Sequence, residues 1–134
     1  MKRQILAIDD SKAIRFLLQT VFCKNYQVIT ASDGCSAMYW LARNKLPEYI
    51  IADPQLPDMQ DWELIDYLTS SGIYGTVPVV VLSALDRKET QQKSKELGVQ
   101  HFFMKPFNPV ELVMAIQSVS TFQVKRKETY LKVV

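Results

Sequence analysis

The sequence predicts an α/β fold in which five parallel strands form one sheet, with helices packed on both of its faces. Short apolar runs alternate five times with longer helical segments, and the runs are apolar nearly throughout, as strands buried on both faces are. Four of the runs end at a polar or charged residue, namely Asp9, Asp53, Ser83 and Lys105. Because the carboxyl ends of parallel strands share one crevice, we expect these residues to lie together.

The five strands are predicted from apolar and β-branched runs. The third run is continuously apolar, as central parallel strands are, and the fourth is the most β-branched segment of the chain. In chain order, the predicted strands span residues 4–8, 26–31, 49–52, 78–82 and 99–104.

The five helices are predicted from helical spacing of apolar residues and from capping residues. Ser11 is a suitable N-cap for the first helix, and Asp33 opens the second. The fourth helix is polar and stops at Gly98, whereas Pro109 suits the first turn of the fifth. In chain order, the predicted helices span residues 12–23, 34–45, 61–70, 86–97 and 109–119.

The length of 134 residues and the composition, with 48% hydrophobic and 22% charged residues, are typical of one soluble domain. No apolar stretch approaches the roughly 20 residues that span a bilayer, and the first residues lead into a strand without a signal peptide. We therefore expect a cytoplasmic protein with no membrane association. Cys23 and Cys35 are expected to be reduced residues in or near the core.

Charge is distributed unevenly along the chain, whose net charge is +2. We predict a globular domain over residues 1–119 and a basic C-terminal extension over 120–134, with no second domain. The extension carries Lys125, Arg126, Lys127 and Lys132 against Glu128. The globular part has no basic excess, so direct DNA binding is not expected. The extension could lengthen the last helix, form a hairpin or be a disordered arm.

The residues expected at the crevice fit phosphoryl transfer to a carboxylate. Asp10 and Asp53 are hard oxygen ligands of the kind that Mg²⁺ prefers, and mutual repulsion should raise at least one carboxylate pKa. Asp53 would attack phosphorus and form an acyl phosphate, while the cation offsets the charge of the donor. Lys105 and Ser83 would contact the phosphoryl oxygens, and the small Ala84 would allow a close approach.

These residues resemble the receiver domain of response regulators, the phosphoacceptor half of two-component signalling. The resemblance covers about residues 3–119 and implies the flavodoxin-like strand order 2-1-3-4-5. Its pieces are Asp9-Asp10-Ser11 with Arg15, Ala31-Ser32-Asp33-Gly34, Pro47 through Asp53 to Leu56-Pro57, Ser83-Ala84 and Lys105-Pro106-Phe107. Any one piece is common in proteins, whereas all of them in order, each at a strand end, form a specific signal.

The resemblance implies further roles. The backbone carbonyl of Gln55 would be a third protein ligand of Mg²⁺, and Asp9 would act partly through water. The bond before Pro106 would be cis. Phe102 would be a switch aromatic whose ring moves inward when phosphate draws Ser83, unless it is a static core residue. The phosphoryl donor would be a sensor histidine kinase or a phosphotransfer protein, and the chain would promote only its own phosphorylation and dephosphorylation.

Two residues depart from the family pattern. Pro54 follows the phosphoacceptor where an aliphatic residue is usual, and it removes one backbone donor. Asp61 stands where a glycine is usual, and we expect it either to adopt a positive φ or to cap the third helix.

Two other functions compete with the receiver interpretation. A pseudo-receiver would have the same fold and act as a scaffold that is rarely phosphorylated, which the intact set of candidate site residues disfavours. A flavodoxin-like electron carrier needs a loop after the first strand that accepts phosphate. The acidic pair Asp9-Asp10 would repel a flavin phosphate there.

Overall fold

The computed structural model of the protein describes residues 2–118. The strands are β1 (Arg3–Ile8), β2 (Tyr26–Ala31), β3 (Tyr49–Ala52), β4 (Val79–Ser83) and β5 (His101–Met104). The helices are α1 (Lys12–Phe22), α2 (Gly34–Arg43), α3 (Glu63–Ser70), α4 (Arg87–Leu97) and α5, which covers residues 109–118. The predicted extension over 120–134 lies outside the described residues. Within the described part, no helix combines the length and apolar character that a membrane crossing requires.

All neighbouring strands pair in parallel, in the order β2-β1-β3-β4-β5. Ile8 at the end of β1 is in register with Ala31 of β2 and with Ala52 of β3, so these strands end at the same level. The predicted fold class and strand order are confirmed, and the shared level of the strand ends creates the crevice.

The sheet is covered on both faces by apolar side chains. Leu6 and Ile8 of β1 face a cluster with α2 and α3, whereas Ile5 and Ala7 face a cluster with α1 and α5. Burying each large aliphatic side chain contributes about 1.5–3 kcal/mol. An apolar core on each face of the sheet thus fixes the positions of the strand ends.

Helix α4 contributes little apolar surface to this core. Its buried side chains are Thr90 and Ser94, with Leu97 partly buried at its end. The helix ends at Gly98, which adopts φ 72° and whose N–H reaches back to the carbonyl of Lys95. The predicted stop at Gly98 is confirmed, but β5 begins two residues later than predicted. Val99 is still part of the cap, because its N–H donates to the carbonyl of Ser94 over 2.9 Å.

The start of α3 differs from the prediction. Asp61 neither has a positive φ nor caps the helix; the left-handed residue is Trp62, with φ 68°, and it occupies the N-cap position without a side-chain cap. The Trp62 N–H donates to the carbonyl of Pro54 over 2.8 Å, which turns the loop back into α3. A left-handed non-glycine residue costs about 1–3 kcal/mol. Trp62 is 4% exposed, so burial of its ring opposes this cost, while its Nε1 has no hydrogen-bond partner among the described residues.

Both cysteines are free thiols, as predicted. Cys23 and Cys35 are exposed, so the near-surface alternative is the correct one.

Candidate functional site

The candidate site begins with two carboxylates placed just beyond strand ends. The N–H of Asp9 donates to the carbonyl of Ala31 over 3.0 Å, and the N–H of Asp53 donates to the carbonyl of Ile8 over 2.9 Å. The sheet therefore continues through both residues and fixes their backbones. The two residues are only 1% and 5% exposed, respectively. Two buried carboxylates so close together require a counter-charge.

Lys105 supplies that counter-charge from the end of β5. Its N–H donates to the carbonyl of Ser83 over 2.8 Å, which extends the pairing of β4 with β5. Its Nζ lies 2.8 Å from Oδ2 of Asp9 and 2.7 Å from Oδ2 of Asp53. The ammonium thus bridges the two carboxylates.

The other oxygen of each carboxylate accepts a backbone N–H from two residues farther along the chain. Ser11 donates to Oδ1 of Asp9 over 2.9 Å, and Gln55 donates to Oδ1 of Asp53 over 2.8 Å. The guanidinium of Arg15 donates to the Asp9 carbonyl over 2.8 Å. These bonds hold both side chains in one orientation before any ligand arrives.

Burial raises the pKa of Asp53, and the hydrogen bonds from Lys105 and Gln55 oppose that rise only in part. Burial acts against the charged form of Lys105 too, but its hydrogen bonds to Asp53 and Asp9 outweigh this, and the pKa of Lys105 is raised. A raised carboxylate pKa was predicted, but its main cause is loss of solvent, and repulsion by Asp9 is a minor contribution.

Asp9, Asp10 and Asp53 form a group that can hold a cation, since each offers an oxygen within 4.8 Å of the others. Asp10 is exposed, whereas its two partners are buried. Three carboxylates against the one ammonium of Lys105 leave negative charge uncompensated. Hard oxygens with excess negative charge fit Mg²⁺, which binds through one or two carboxylates and retains several waters.

Ser83 closes the crevice beside Lys105. Its side chain is fully buried, and its Oγ accepts the N–H of Leu85 over 3.0 Å. The same Oγ lies 2.8 Å from Oγ1 of Thr90 on α4. Ala84, the next residue, is exposed.

The geometry is therefore a buried carboxylate in contact with a lysine, with further carboxylates for a cation and a serine at the neighbouring strand end. A sequence model described as "Response regulator receiver domain" matches residues 5–117. The chain belongs to this family. Receiver domains are signalling phosphoacceptors of two-component systems, and aspartate phosphorylation and Mg²⁺ binding are standard for them.

Individual relatives show the same similarity. Response regulator PleD of Caulobacter vibrioides is 32% identical over 124 residues, which are 92% of this chain and 27% of PleD. The phosphate regulon transcriptional regulatory protein PhoB of Escherichia coli is 32% identical over 120 residues, 89% of this chain and 52% of PhoB. The chain thus spans between about a quarter and a half of the length of these relatives.

Among solved structures, the chemotaxis response regulator CheY4 of Vibrio cholerae is 30% identical to this receiver, with a TM-score of 0.77 over 89% of this chain and 99% of CheY4. The Francisella response regulator 1452 receiver domain is 27% identical, with a TM-score of 0.80 over 91% of this chain and 99% of that one.

Other predicted features of the receiver lie around the site. The Lys105-Pro106 bond is cis, as the resemblance implied. Phe102 lies on β5 beside Val81 of β4, is partly buried and packs against the α2 and α3 cluster. The Arg87 guanidinium lies 5.8 Å from the Phe102 ring centre. The predicted switch role of Phe102 and the metal-binding carbonyl of Gln55 remain predictions.

Two residues near the receiver site were not anticipated from the sequence. Thr90 contacts Ser83, and the spacing of Thr90, Ser94 and Leu97 along α4 is the pattern that could have identified its buried face. Asp58 accepts the N–H groups of Gly34 and Cys35 over 2.9 and 2.8 Å, which joins the loop after β3 to the start of α2. These two hydrogen bonds lower the pKa of Asp58.

Proposed function

We propose that this receiver accepts a phosphoryl group on Asp53 in a Mg²⁺-dependent reaction. The observation that carries the proposal is the contact of 2.7 Å between Lys105 Nζ and Asp53 Oδ2 in a buried carboxylate cluster. The Lys105 ammonium favours the ionised form of Asp53 against the effect of burial, which raises the Asp53 pKa, and it lies against the carboxylate oxygen. An ionised, oriented carboxylate is a competent nucleophile.

Asp10 and Asp53 would hold Mg²⁺, together with the backbone carbonyl of Gln55, and Asp9 would act partly through water. The donor set supports this assignment, because oxygens of the three aspartates lie within 4.8 Å of one another. When bound, the cation offsets the negative charge of the phosphoryl donor, which the uncompensated carboxylates would otherwise repel.

The chain's own residues then carry the transfer. The Asp53 carboxylate forms a bond to phosphorus while the bond from phosphorus to the donor breaks, and the leaving group keeps the electron pair. Lys105 contacts the phosphoryl oxygens as a point charge, and Ser83 donates its hydroxyl to one of them. Ala84 has no side chain beyond Cβ that would obstruct this approach.

In this proposal, the donor is a phosphohistidine on a sensor histidine kinase or a phosphotransfer protein. The receiver occupies residues 1–119, works in the cytoplasm and signals through contacts with a protein target. In this proposal the receiver does not bind DNA directly. The ring of Phe102, on β5, moves inward when the phosphoryl group draws Ser83 towards it. The protein changes only its own phosphorylation state and is not an enzyme towards other molecules.

The test is intact-mass spectrometry after incubation with acetyl phosphate and Mg²⁺. We expect the mass of one phosphoryl group on the wild type and none on Asp53→Asn. Asp58→Asn is a matched control, since this carboxylate lies in the same loop but binds α2. It should be labelled like the wild type. Equal labelling of Asp53→Asn would refute the assignment, and an unlabelled wild type that still binds Mg²⁺ would favour the pseudo-receiver scaffold.

A further inference from the structure

The Ser83 hydroxyl is already hydrogen-bonded to α4. Ser83 Oγ and Thr90 Oγ1 lie 2.8 Å apart, and both side chains are 0% exposed. The N–H of Leu85 is the other partner of Ser83 Oγ, at 3.0 Å. Within residues 2–118, Ser83 Oγ has no hydrogen bond to Asp53 or Lys105. Its hydroxyl is therefore held towards the helix.

This arrangement limits what the Ser83 hydroxyl can do. A hydroxyl has one proton to donate and two lone pairs to accept with. The N–H of Leu85 occupies one lone pair. The bond to Thr90 holds Ser83 Oγ against α4 whichever hydroxyl donates, and when Ser83 is the donor it uses the one proton that a phosphoryl oxygen would need. The contact with Thr90 thus competes with a contact to a phosphoryl group.

The Thr90 hydroxyl loses its hydrogen bond if Ser83 turns away. In the described part of the chain, Ser83 is the one hydrogen-bond partner of its hydroxyl. A buried hydroxyl that loses its partner is costly, because no water replaces the bond. The buried face of α4 therefore favours the state in which Ser83 stays bound to Thr90.

We propose that Thr90 is a positioning residue that holds the Ser83 hydroxyl in its unphosphorylated arrangement and thereby lowers the affinity of the site for a phosphoryl group. The inference rests on the proposed function, in which Ser83 donates to a phosphoryl oxygen. An interaction made in one state only shifts the equilibrium towards that state. Removing the Thr90 hydroxyl should accordingly favour the phosphoryl-bound state.

The test compares Thr90→Val, which keeps the shape and removes the hydroxyl, with Thr90→Ser, which keeps the hydroxyl. The probe is beryllium fluoride, a phosphoryl analogue, with Mg²⁺, and its affinity for the full chain is measured by titration calorimetry. We expect Thr90→Val to bind roughly three- to tenfold more tightly than the wild type, the range for one hydrogen bond. Thr90→Ser should stay within about twofold of the wild type.

A second pair of variants shows whether Thr90 acts through Ser83. In a Ser83→Ala background, Thr90→Val should leave the affinity unchanged, because the bond it removes is already absent. If circular dichroism shows that Thr90→Val is unfolded, Thr90→Ala takes its place in both backgrounds.

The outcomes separate this inference from the proposed function. If the wild type binds no beryllium fluoride, both the proposed function and the role of Thr90 are refuted. If the wild type binds beryllium fluoride but Thr90→Val binds it equally well or more weakly, the role of Thr90 alone is refuted. If Thr90→Val raises the affinity for beryllium fluoride equally in the Ser83→Ala background, the role of Thr90 is also refuted, because Thr90 would then act through α4 and not through Ser83.

Discussion

Lys105 Nζ lies 2.7 Å from Oδ2 of Asp53, although 52 positions separate the two residues in the chain. The contact depends on the parallel pairing of β3 with β4 and of β4 with β5, which brings both strand ends to one edge. The same ammonium lies 2.8 Å from Oδ2 of Asp9. One side chain therefore neutralises part of the carboxylate group that we propose as the Mg²⁺ site.

Replacing Lys105 with Met should change Mg²⁺ affinity and phosphorylation in opposite directions. Loss of the ammonium leaves Asp9 and Asp53 without their counter-charge, so Mg²⁺ should bind several-fold more tightly. Phosphorylation by acetyl phosphate should slow by about tenfold or more, because the charge facing the phosphoryl oxygens is gone. Calorimetry and time-resolved intact mass measure the two effects. Weaker Mg²⁺ binding in Lys105→Met would contradict the proposal that the Lys105 ammonium offsets the negative charge of Asp9 and Asp53.

Asp10→Ala tests the assignment of the exposed carboxylate as a metal ligand. Removing one of two direct carboxylates should weaken Mg²⁺ binding by about an order of magnitude or more. Asp61→Ala is the control, since Asp61 is also an exposed acid, lies between β3 and α3, and is not part of the carboxylate group. Calorimetric titration with Mg²⁺ gives the affinity. If Asp10→Ala binds Mg²⁺ with wild-type affinity, Asp10 is not a metal ligand.

The site was largely predictable from the sequence because its residues follow directly from strand ends. Asp9, Asp53 and Lys105 each come immediately after an apolar run, and parallel topology alone brings such positions together. Thr90 was not predictable in this way, because its contact depends on the rotation of a polar helix that has weak apolar periodicity. The left-handed Trp62 was missed because a large aromatic residue is unfavourable in that conformation.

Asp58→Ala should lower the stability of the protein in a pH-dependent way. The folded-state pKa of Asp58 lies below its usual value of 3.8, because the carboxylate accepts the N–H groups of Gly34 and Cys35. Its contribution is therefore present above that value and is lost as the pH falls through the lower, folded-state pKa.

At neutral pH, the free energy of unfolding of Asp58→Ala should be about 1 kcal/mol below that of the wild type, as for loss of a helix cap. The difference should shrink in acid. Urea denaturation at several pH values measures it, with Asp61→Ala as an exposed acidic control that caps no helix. A difference that stays constant or grows as the pH falls would show that the charged form of Asp58 is not what stabilises α2.

Leu85→Ser should shorten the lifetime of phosphorylated Asp53. Leu85 follows the Ser83-Ala84 pair, is partly buried and contributes apolar bulk without a side-chain hydrogen bond. Hydrolysis requires a water molecule held in line with phosphorus, which bulk at this position obstructs. Gln55, whose N–H donates to Asp53 Oδ1, is neutral and cannot act as a strong base.

Serine keeps the backbone N–H that donates to Ser83 Oγ, so the loop geometry should be preserved. We expect the phosphoryl group to be lost roughly threefold faster or more, because a small polar residue admits and orients water. Its acquisition from acetyl phosphate should be unchanged. Intact mass recorded over time after removal of the donor gives the decay, and Leu85→Met, which retains the bulk, should decay like the wild type. If Leu85→Ser decays no faster than Leu85→Met, Leu85 does not limit the access of water to the site.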